Sequence, residues 1–309
     1  LGAPDAVAGA TILHAFEIPH VGDGVLNSPR VLIAANGDAP GWRKAALALS
    51  IDGGGNWEAA GLTALPAVIG EVVTPALAAL AMIEDRRSAL IVDLARSDMT
   101  LHDASDLARD SGANLALVGN ELIQFARAEP LGGRRWRLSG LWRGRRGTED
   151  AIGTGQTGDR FVLIEAAAMR VCDGVAHVGA TLDVLAVGSG EPGEARTGAS
   201  VTGVSITPPS PVELRAEPSG DGGMRLRWTR RSRTGWFWRD GSDAPLGEEA
   251  ERYAVRMELA GGEVRLESAT APEWRVSPAD LSMGLIAVEV RQAGDHGLSP
   301  PARITIAAE

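Results

Sequence analysis

The chain reads as all-β, in two parts: a β-rich, sandwich- or barrel-like region over residues 1–207 and an immunoglobulin-like sandwich over 208–309. Three observations predict this. Short runs of alternating polarity recur throughout, punctuated by Gly, Pro, Asn and Asp, which is the pattern of half-buried strands and tight turns. Only one stretch, Leu101–Asp110, has the period of a helix, with Thr100 as its expected cap. The extended segment Pro208-Pro209-Ser210-Pro211 is stiff, and suits a boundary between domains.

In the first region strands are expected at Thr11–Ile18, Arg30–Ala35, Ala45–Ile51 and Ala89–Leu94. Asp52-Gly53-Gly54-Gly55 supplies a turn that tolerates positive φ. A meander follows: Leu115–Val118 turns at Gly119-Asn120 into Glu121–Ala128, and Pro130-Leu131-Gly132-Gly133 turns the chain into Arg135–Leu141. Alternation puts Trp136 and Leu138 on one face of that last strand, with Trp142 continuing inward, and Arg135 and Arg137 on the opposite, solvated face.

Beyond the prolines, seven alternating segments present inward rows. They are Val212/Leu214/Ala216, Met224/Leu226/Trp228, Tyr253/Val255/Met257/Leu259, Val264/Leu266, Trp274/Val276, Ile286/Val288/Val290 and Ile304/Ile306. Seven short strands in about a hundred residues, with a Trp on the second, fit an immunoglobulin-like sandwich. The ending AVEVRQAGDHGLSPPARITI is similar to the last two strands of a fibronectin type III module.

Bulk composition removes several function classes. No apolar run is long enough to cross a bilayer as a helix, because Ala76–Met82 is short and Glu84-Asp85-Arg86-Arg87 follows it. The formal charge of -10 opposes binding long stretches of phosphate backbone. Lys44 is the only lysine, so every other cation is a planar, fork-shaped guanidinium. Cys172 is alone, which excludes an intrachain disulfide and a cysteine-based zinc site. The chain opens at Leu1 without a signal peptide, which suggests a piece of a longer polypeptide, although simple trimming explains it equally well.

The motifs that imitate chemistry fail on spacing. In His14-Ala-Phe-Glu17-Ile-Pro-His20 a strand places Glu17 opposite both histidines, so no metal site forms there. Asp98, Asp103, Asp106 and Asp110 do not follow the EF-hand ligand pattern. The glycines around Arg143–Thr148 lack the lysine of a phosphate-binding loop. No nucleophile elbow is present. No catalytic residue, cofactor or metal is therefore expected, and nucleic acid is not an expected partner, since Glu149, Asp150 and Asp159 sit close to the arginines.

Two stretches carry a family likeness. NLALVGNELIQF (114–125) with WRLSGLWRGRRGTE (136–149) resembles the C-terminal part of phage tail hub or tip proteins, including those of gene transfer agents. Trp228-Thr-Arg-Arg-Ser-Arg, Trp238-Arg-Asp-Gly, Pro245-Leu-Gly-Glu-Glu and Tyr253 resemble the fibronectin-type module that ends many of them. The resemblance implies a non-enzymatic virion component at the tail tip, made in a bacterial cytoplasm and assembled with other tail or baseplate proteins, as a homotrimer around the tail axis. It also implies a missing upstream TIM-barrel-like domain. The chain departs from the pattern at Gly235-Trp236-Phe237-Trp238-Arg239, where Trp236 and Phe237 replace smaller polar residues. Such a loop is either a self-packed plug or a contact patch for a cell-surface glycan formed by Trp236, Phe237, Trp238 and Arg239. At the arginine-rich turn, Arg143, Arg145 and Arg146 are expected to be held by carboxylates such as Glu149 and Asp150. Two readings compete with the tail protein: a carbohydrate-binding accessory region of a surface-acting enzyme, and a glycan-cleaving enzyme with two facing carboxylates.

Overall fold

A computed structural model describes residues 9–22, 24–191, 193–234 and 244–306. The chain is all-β and divides into two compact units, residues 1–18 with 29–202 and residues 19–28 with 203–309. The short segment 19–28 thus groups with the C-terminal part of the chain, which no sequence signal indicated.

In the first unit, two sheets share one core. Strands β1 (Thr11–Glu17) and β2 (Arg30–Gly37) pair antiparallel, and β3 (Ala45–Ser50) pairs with β4 (Glu58–Leu62). The chain then leaves to build a six-stranded barrel and returns later with three strands. The barrel strands are β5 (Ile69–Thr74), β6 (Leu90–Leu94), β7 (Leu115–Val118), β8 (Glu121–Gly132), β9 (Arg135–Trp142) and β10 (Arg160–Leu163), closed in the order β10-β5-β6-β9-β8-β7. The returning strands β11 (Met169–Asp173), β12 (Thr181–Gly188) and β13 (Ala195–Ser200) complete the sheets β1-β2-β11 and β13-β12-β3-β4. Alternate residues of both sheets, including Leu13, Val31, Ile33, Leu47, Leu49, Cys172, Leu182 and Val184, pack into one buried cluster. Gly37 lies so close to Trp42 that a Cβ would fall 2.2 Å from its side chain. The indole Nε1 donates to Thr11 Oγ1 at 2.9 Å, which satisfies its one polar atom inside the core.

Barrel closure removes free edges, so every strand pairs on both sides. Cross-strand pairing puts Val92, Phe125, Leu138, Leu141 and Phe161 on one face of the barrel wall and Ile69, Leu117, Leu122 and Val162 on the other, and all are essentially inaccessible. Strict alternation would place Trp142 with Leu138 and turn Leu141 outward. Gly140 breaks it: its φ of +63° reverses the facing, so Leu138 and Leu141 are both buried and Trp136 and Trp142 are only half-buried. Both indoles were expected inside: the left-handed Gly140 turns Trp142 off the Leu138 face, whereas Trp136 keeps that face, opposite Val92, and is still half-buried. The expected turn at Pro130–Gly133 also shifts, because β8 runs through Pro130, paired with Trp136, as far as Gly132. The expected helix over Leu101–Asp110 shrinks to α1 (Asp106–Asp110), capped by Ser105 Oγ rather than Thr100.

The second unit is a three-on-four sandwich. β14 (Val212–Pro218), β15 (Met224–Thr229) and β18 (Glu273–Val276) form one sheet in the order β14-β15-β18; β16 (Tyr253–Leu259), β17 (Val264–Ala269), β19 (Leu285–Gln292) and β20 (Ala302–Thr305) form the other, β17-β16-β19-β20. A short helix, α2 (Pro278–Ser282), connects β18 to β19 behind a Ser277–Asp280 capping box. This is a fibronectin type III-like arrangement. Leu226, Tyr253, Val255, Val276, Val288 and Val290 fill the core, and the rings of Trp228 and Tyr253 meet edge to face at 5.0 Å. Three expected inward positions fail. Val264 and Leu266 lie on the edge strand β17 and are exposed, and Ile286 faces outward while Leu285 and Ala287 are buried.

The reversal at Gly140 yields a test. Gly140→Ala forces a residue with a Cβ into the left-handed region, at about 1–2 kcal/mol, and sets that Cβ 2.8 Å from Ala126 Cβ and 3.1 Å from Glu84 Oε1. The expected loss in urea unfolding is about 2 kcal/mol or more, and an unchanged midpoint would show that the facing of β9 is set elsewhere.

Candidate functional site: the arginine-rich turn and the adjoining cleft

The turn after β9 is built around one side chain. Arg143 is 3 % exposed and grips Glu121 at the start of β8 bidentately, Nε to Oε1 and Nη2 to Oε2, both at 2.7 Å. Its Nη1 donates to the Leu77 carbonyl at 2.6 Å and lies 3.7 Å from Asp85 Oδ2. Glu121 Oε1 also accepts the Gly144 amide at 3.0 Å. Thr148 Oγ1 accepts the Leu122 amide and donates to the Arg145 carbonyl. The turn is thereby laced to the barrel at both ends.

Glu149 and Asp150 were expected to hold these arginines; for Arg143 the carboxylate is Glu121, twenty-two residues upstream. Arg145 is placed over Trp142, its Cζ 6.0 Å from the ring centroid. Arg146 adopts φ +61°, and Gly144 φ +57°. A Cβ on Gly144 would lie 2.8 Å from Glu149 Cα, so Glu149 enters the turn through its backbone packing. The Arg-Gly-Arg-Arg-Gly-Thr spelling is therefore a backbone requirement, with three positive-φ residues, Gly144, Arg146 and Gly147, closing a short turn over a buried ion pair.

Asp85 extends the network. Its backbone pairs both ways with Leu141, and its Oδ1 accepts the amides of Arg87 and Ser88. Burial is the largest influence on its carboxyl and pushes its pKa up, yet the Ser88 and Arg87 amides together with the Arg143 charge hold it below the ordinary value. A second buried arginine, Arg109 of α1, reaches Glu84 at 3.0 Å, Asp106 at 2.5 Å and the Gly140 carbonyl at 3.1 Å. The β5–β6 loop is thus fastened by Arg143 at Leu77 and by Arg143 and Arg109 at Asp85 and Glu84.

Outside the barrel, four charged residues stand in one cross-strand row: Arg160 opposite Glu71, Glu71 opposite Asp93, and Asp93 opposite Arg135. Arg135 holds Asp93 bidentately at 2.7 and 2.9 Å, and this hydrogen bonding lowers the Asp93 pKa. Arg135 and Arg137 are exposed as expected, and Arg137 pairs with Glu129. Glu71 and Asp93 line a cleft of about 390 Å³ with Ile12, His14, Asp38 and Arg134. Arg160 stacks 5.4 Å from the Phe16 centroid and donates to the Gly119 carbonyl. Burial first, and the Arg160 charge second, lower the His14 pKa to about 4, so the imidazole is neutral at physiological pH.

The remaining candidates disperse. Glu17 accepts hydrogen bonds from Thr202, away from His14. Asp98, Asp103 and Asp106 each take a separate arginine: Arg96, Arg127 and Arg109. Trp236, Phe237, Trp238 and Arg239 lie outside the described residues.

A closed barrel with a buried clamp, set in a two-sheet unit and followed by a fibronectin type III-like sandwich, defines the class. Residues 67–162 match the family described as Rcc01698-like, C-terminal, a family associated with gene transfer agents. The matched range spans the barrel from just before β5 to within β10, under half of the chain. No curated protein matches significantly. Among solved structures, the FN1-FN3 domains of chicken CNTN1 are 10 % identical with a TM-score of 0.23, covering 98 % of this chain and 99 % of that one. A tetra-tandem repeat from the extending region of a large adhesion protein is 10 % identical with a TM-score of 0.22, covering 97 % and 100 %. Overlaps of that quality carry no argument, and the sandwich rests on its own strand order.

Two predictions follow from this geometry. Arg143→Ala leaves Glu121 buried without its cation, so the first unit should lose about 3–5 kcal/mol in urea unfolding; Arg146→Ala should cost clearly less, and the reverse order would move the anchor to Arg146. For His14, the proton binds near pH 6.5 in the unfolded chain and only near 4 in the folded one. Protonation therefore favours unfolding: this contribution to stability is complete above about 6.5 and is lost as pH falls toward 4. The gap in melting temperature between the native chain and His14→Gln should shift against the native chain over that window. A gap independent of pH would place the titration elsewhere.

Proposed function

We propose that this chain is a non-enzymatic structural component of a phage-like tail tip or hub, carried in the virion after synthesis in a bacterial cytoplasm. The single observation that carries this reading is the coincidence between the family match at 67–162 and the closed barrel with its arginine turn. The charged groups support it. Arginine occupies Glu121, Asp85, Asp93, Asp103 and Asp106 in turn, which spends their lone pairs on scaffold contacts. Asp93 in particular is locked by Arg135 and held ionised, which suits neither a proton donor nor a partner that must change charge with Glu71.

In this reading the barrel unit is an assembly part that meets other tail or baseplate proteins, as a homotrimer about the tail axis. The sequence between β15 and β16 includes Trp236, Phe237, Trp238 and Arg239, residue types able to stack on a glycan and to donate through a guanidinium. That stretch also supports the alternative, a carbohydrate-binding accessory region of a surface-acting enzyme.

Antibody raised against the chain should decorate one end of the tail in negatively stained particles from producing cells. Decoration of the capsid alone, or antigen recovered only away from particles, would overturn the tail reading. Trp236→Ala with Trp238→Ala should leave thermal unfolding unchanged and weaken cell-surface binding at least tenfold. Unchanged binding removes the glycan contact and leaves the assembly role to the labelling experiment.

A further inference from the structure

Arginine answers each carboxylate of the barrel described so far, with one exception. The exposed carboxylate of Glu71 makes no hydrogen bond or ion pair with a described residue. Period two on β5 turns Glu71 and Val73 to one face, and cross-strand register sets Glu71 between Arg160 and Asp93. Neither neighbour satisfies it. Arg160 is turned to the Phe16 ring and to the carbonyls of Gly119 and Ala15, and Asp93 is held by Arg135.

Glu71 shares its cleft of about 390 Å³ with the outer side of β1. There Ile12 and His14 lie on one face while Leu13 and Ala15 enter the core. The neutral His14 imidazole makes no hydrogen bond to a described residue, so one ring nitrogen is open to accept and the other to donate. Ile12, Val73 and Ala95 supply half-buried apolar lining. Asp38 after β2, Arg134 from the β8–β9 turn and Gly158 before β10 complete it, so the cleft is assembled by the fold from distant points of the chain. Its volume falls in the range of small-ligand sites, about 300–1,000 Å³.

The lining selects the chemistry of what enters. Asp38, Glu71 and Asp93 accept only, against a single charged donor, Arg134. Arg135 already answers Asp93, and Asp38 Oδ1 takes the Ala10 amide at 2.7 Å, which leaves Glu71 as the open acceptor. A fitting ligand brings donors and positive charge, together with an apolar body to cover Ile12, Val73 and Ala95. Arginine and lysine side chains have that build, an alkyl stem with a cationic head. A sugar ring also brings donors, but none of the described residues lining the cleft is Trp, Tyr or Phe on which it could stack.

We propose that this cleft receives an arginine or lysine side chain of a partner protein, with the stem along Ile12 and Val73 and the cationic head on Glu71. The proposal rests on the cleft alone and survives if the tail reading fails. One side chain supports only about millimolar affinity by itself, and becomes effective when a larger partner surface presents it.

The full chain titrated with N-acetyl-arginine methylamide, followed through the His14 ring resonance assigned with His14→Gln, should saturate with a dissociation constant of about 1–10 mM. N-acetyl-lysine methylamide should behave alike, whereas the neutral N-acetyl-citrulline methylamide should bind about tenfold more weakly or worse. Glu71→Gln removes the open charge without touching a scaffold contact. It should weaken the arginine compound about tenfold or more and leave the urea midpoint unchanged. Arg134→Ala should strengthen binding by removing the competing cation. No saturation up to about 50 mM, equal binding of the citrulline compound, or unchanged binding in Glu71→Gln overturns the proposal. Weaker binding in Arg134→Ala overturns it too, and glucose that binds more tightly than the arginine compound would assign the cleft to a sugar instead.

Discussion

The barrel unit depends on one buried ion pair. Taking Arg143 and Glu121 out of water costs several kcal/mol per charge, a debt that only near-ideal geometry repays. Here the guanidinium fork meets both carboxylate oxygens, its remaining nitrogen finds the Leu77 carbonyl and the neighbourhood of Asp85, and the Gly144 amide takes a further lone pair of Glu121. What such a pair contributes is less net stability than register. It joins the first residue of β8, the exit of β9 and the β5–β6 loop, three points far apart in the chain. No apolar contact could specify all three at once.

That constraint explains the local sequence. The exit from β9 must turn sharply while Arg143 stays inside, so Gly144 and Arg146 take left-handed backbone and Gly147 follows at φ +99°. Gly140 performs a related task one turn earlier, switching which side chains of β9 reach the interior. Its carbonyl accepts from Arg109, which in turn holds Glu84. Two buried arginines and a handful of glycines thus convert an ordinary meander into a closed barrel that presents a rigid apolar loop on one side and a charged row on another.

Much of the fold was legible in the sequence, because period-two alternation and turn residues are local signals. The strands at 11–17, 30–37, 45–50, 90–94, 115–118 and 135–142, and the seven-strand immunoglobulin-like sandwich, follow from them. The strands Glu58–Leu62, Ile69–Thr74, Arg160–Leu163, Met169–Asp173, Thr181–Gly188 and Ala195–Ser200 were not read; Ile69–Thr74 and Arg160–Leu163 are short and lack a regular alternation, whereas Thr181–Gly188 alternates and was passed over. Barrel closure was beyond local reading too, because it depends on β10 pairing with β5 and β7 across long stretches of chain. Val264, Leu266 and Ile286 misled because alternation cannot distinguish an edge strand or a bulged register from an inner one. At the turn, the arginines stood out by composition, but their partner did not. Glu121 lies in an apolar-flanked strand start, and a carboxylate between Asn120 and Leu122 carries no local sign that it is buried. Only the structure shows it, buried at the head of a strand whose first five residues are all inaccessible.

The central claim is that Arg143 and Glu121 act as a coupled unit. A double-mutant cycle tests it most directly, combining Arg143→Met and Glu121→Leu, with each variant unfolded in urea. Each single change strands a buried charge, whereas the pair replaces both charges with apolar groups of similar size. The account predicts that the double variant recovers at least about 2 kcal/mol relative to the sum of the single losses. Strictly additive losses would contradict it and leave the turn's position to backbone conformation alone.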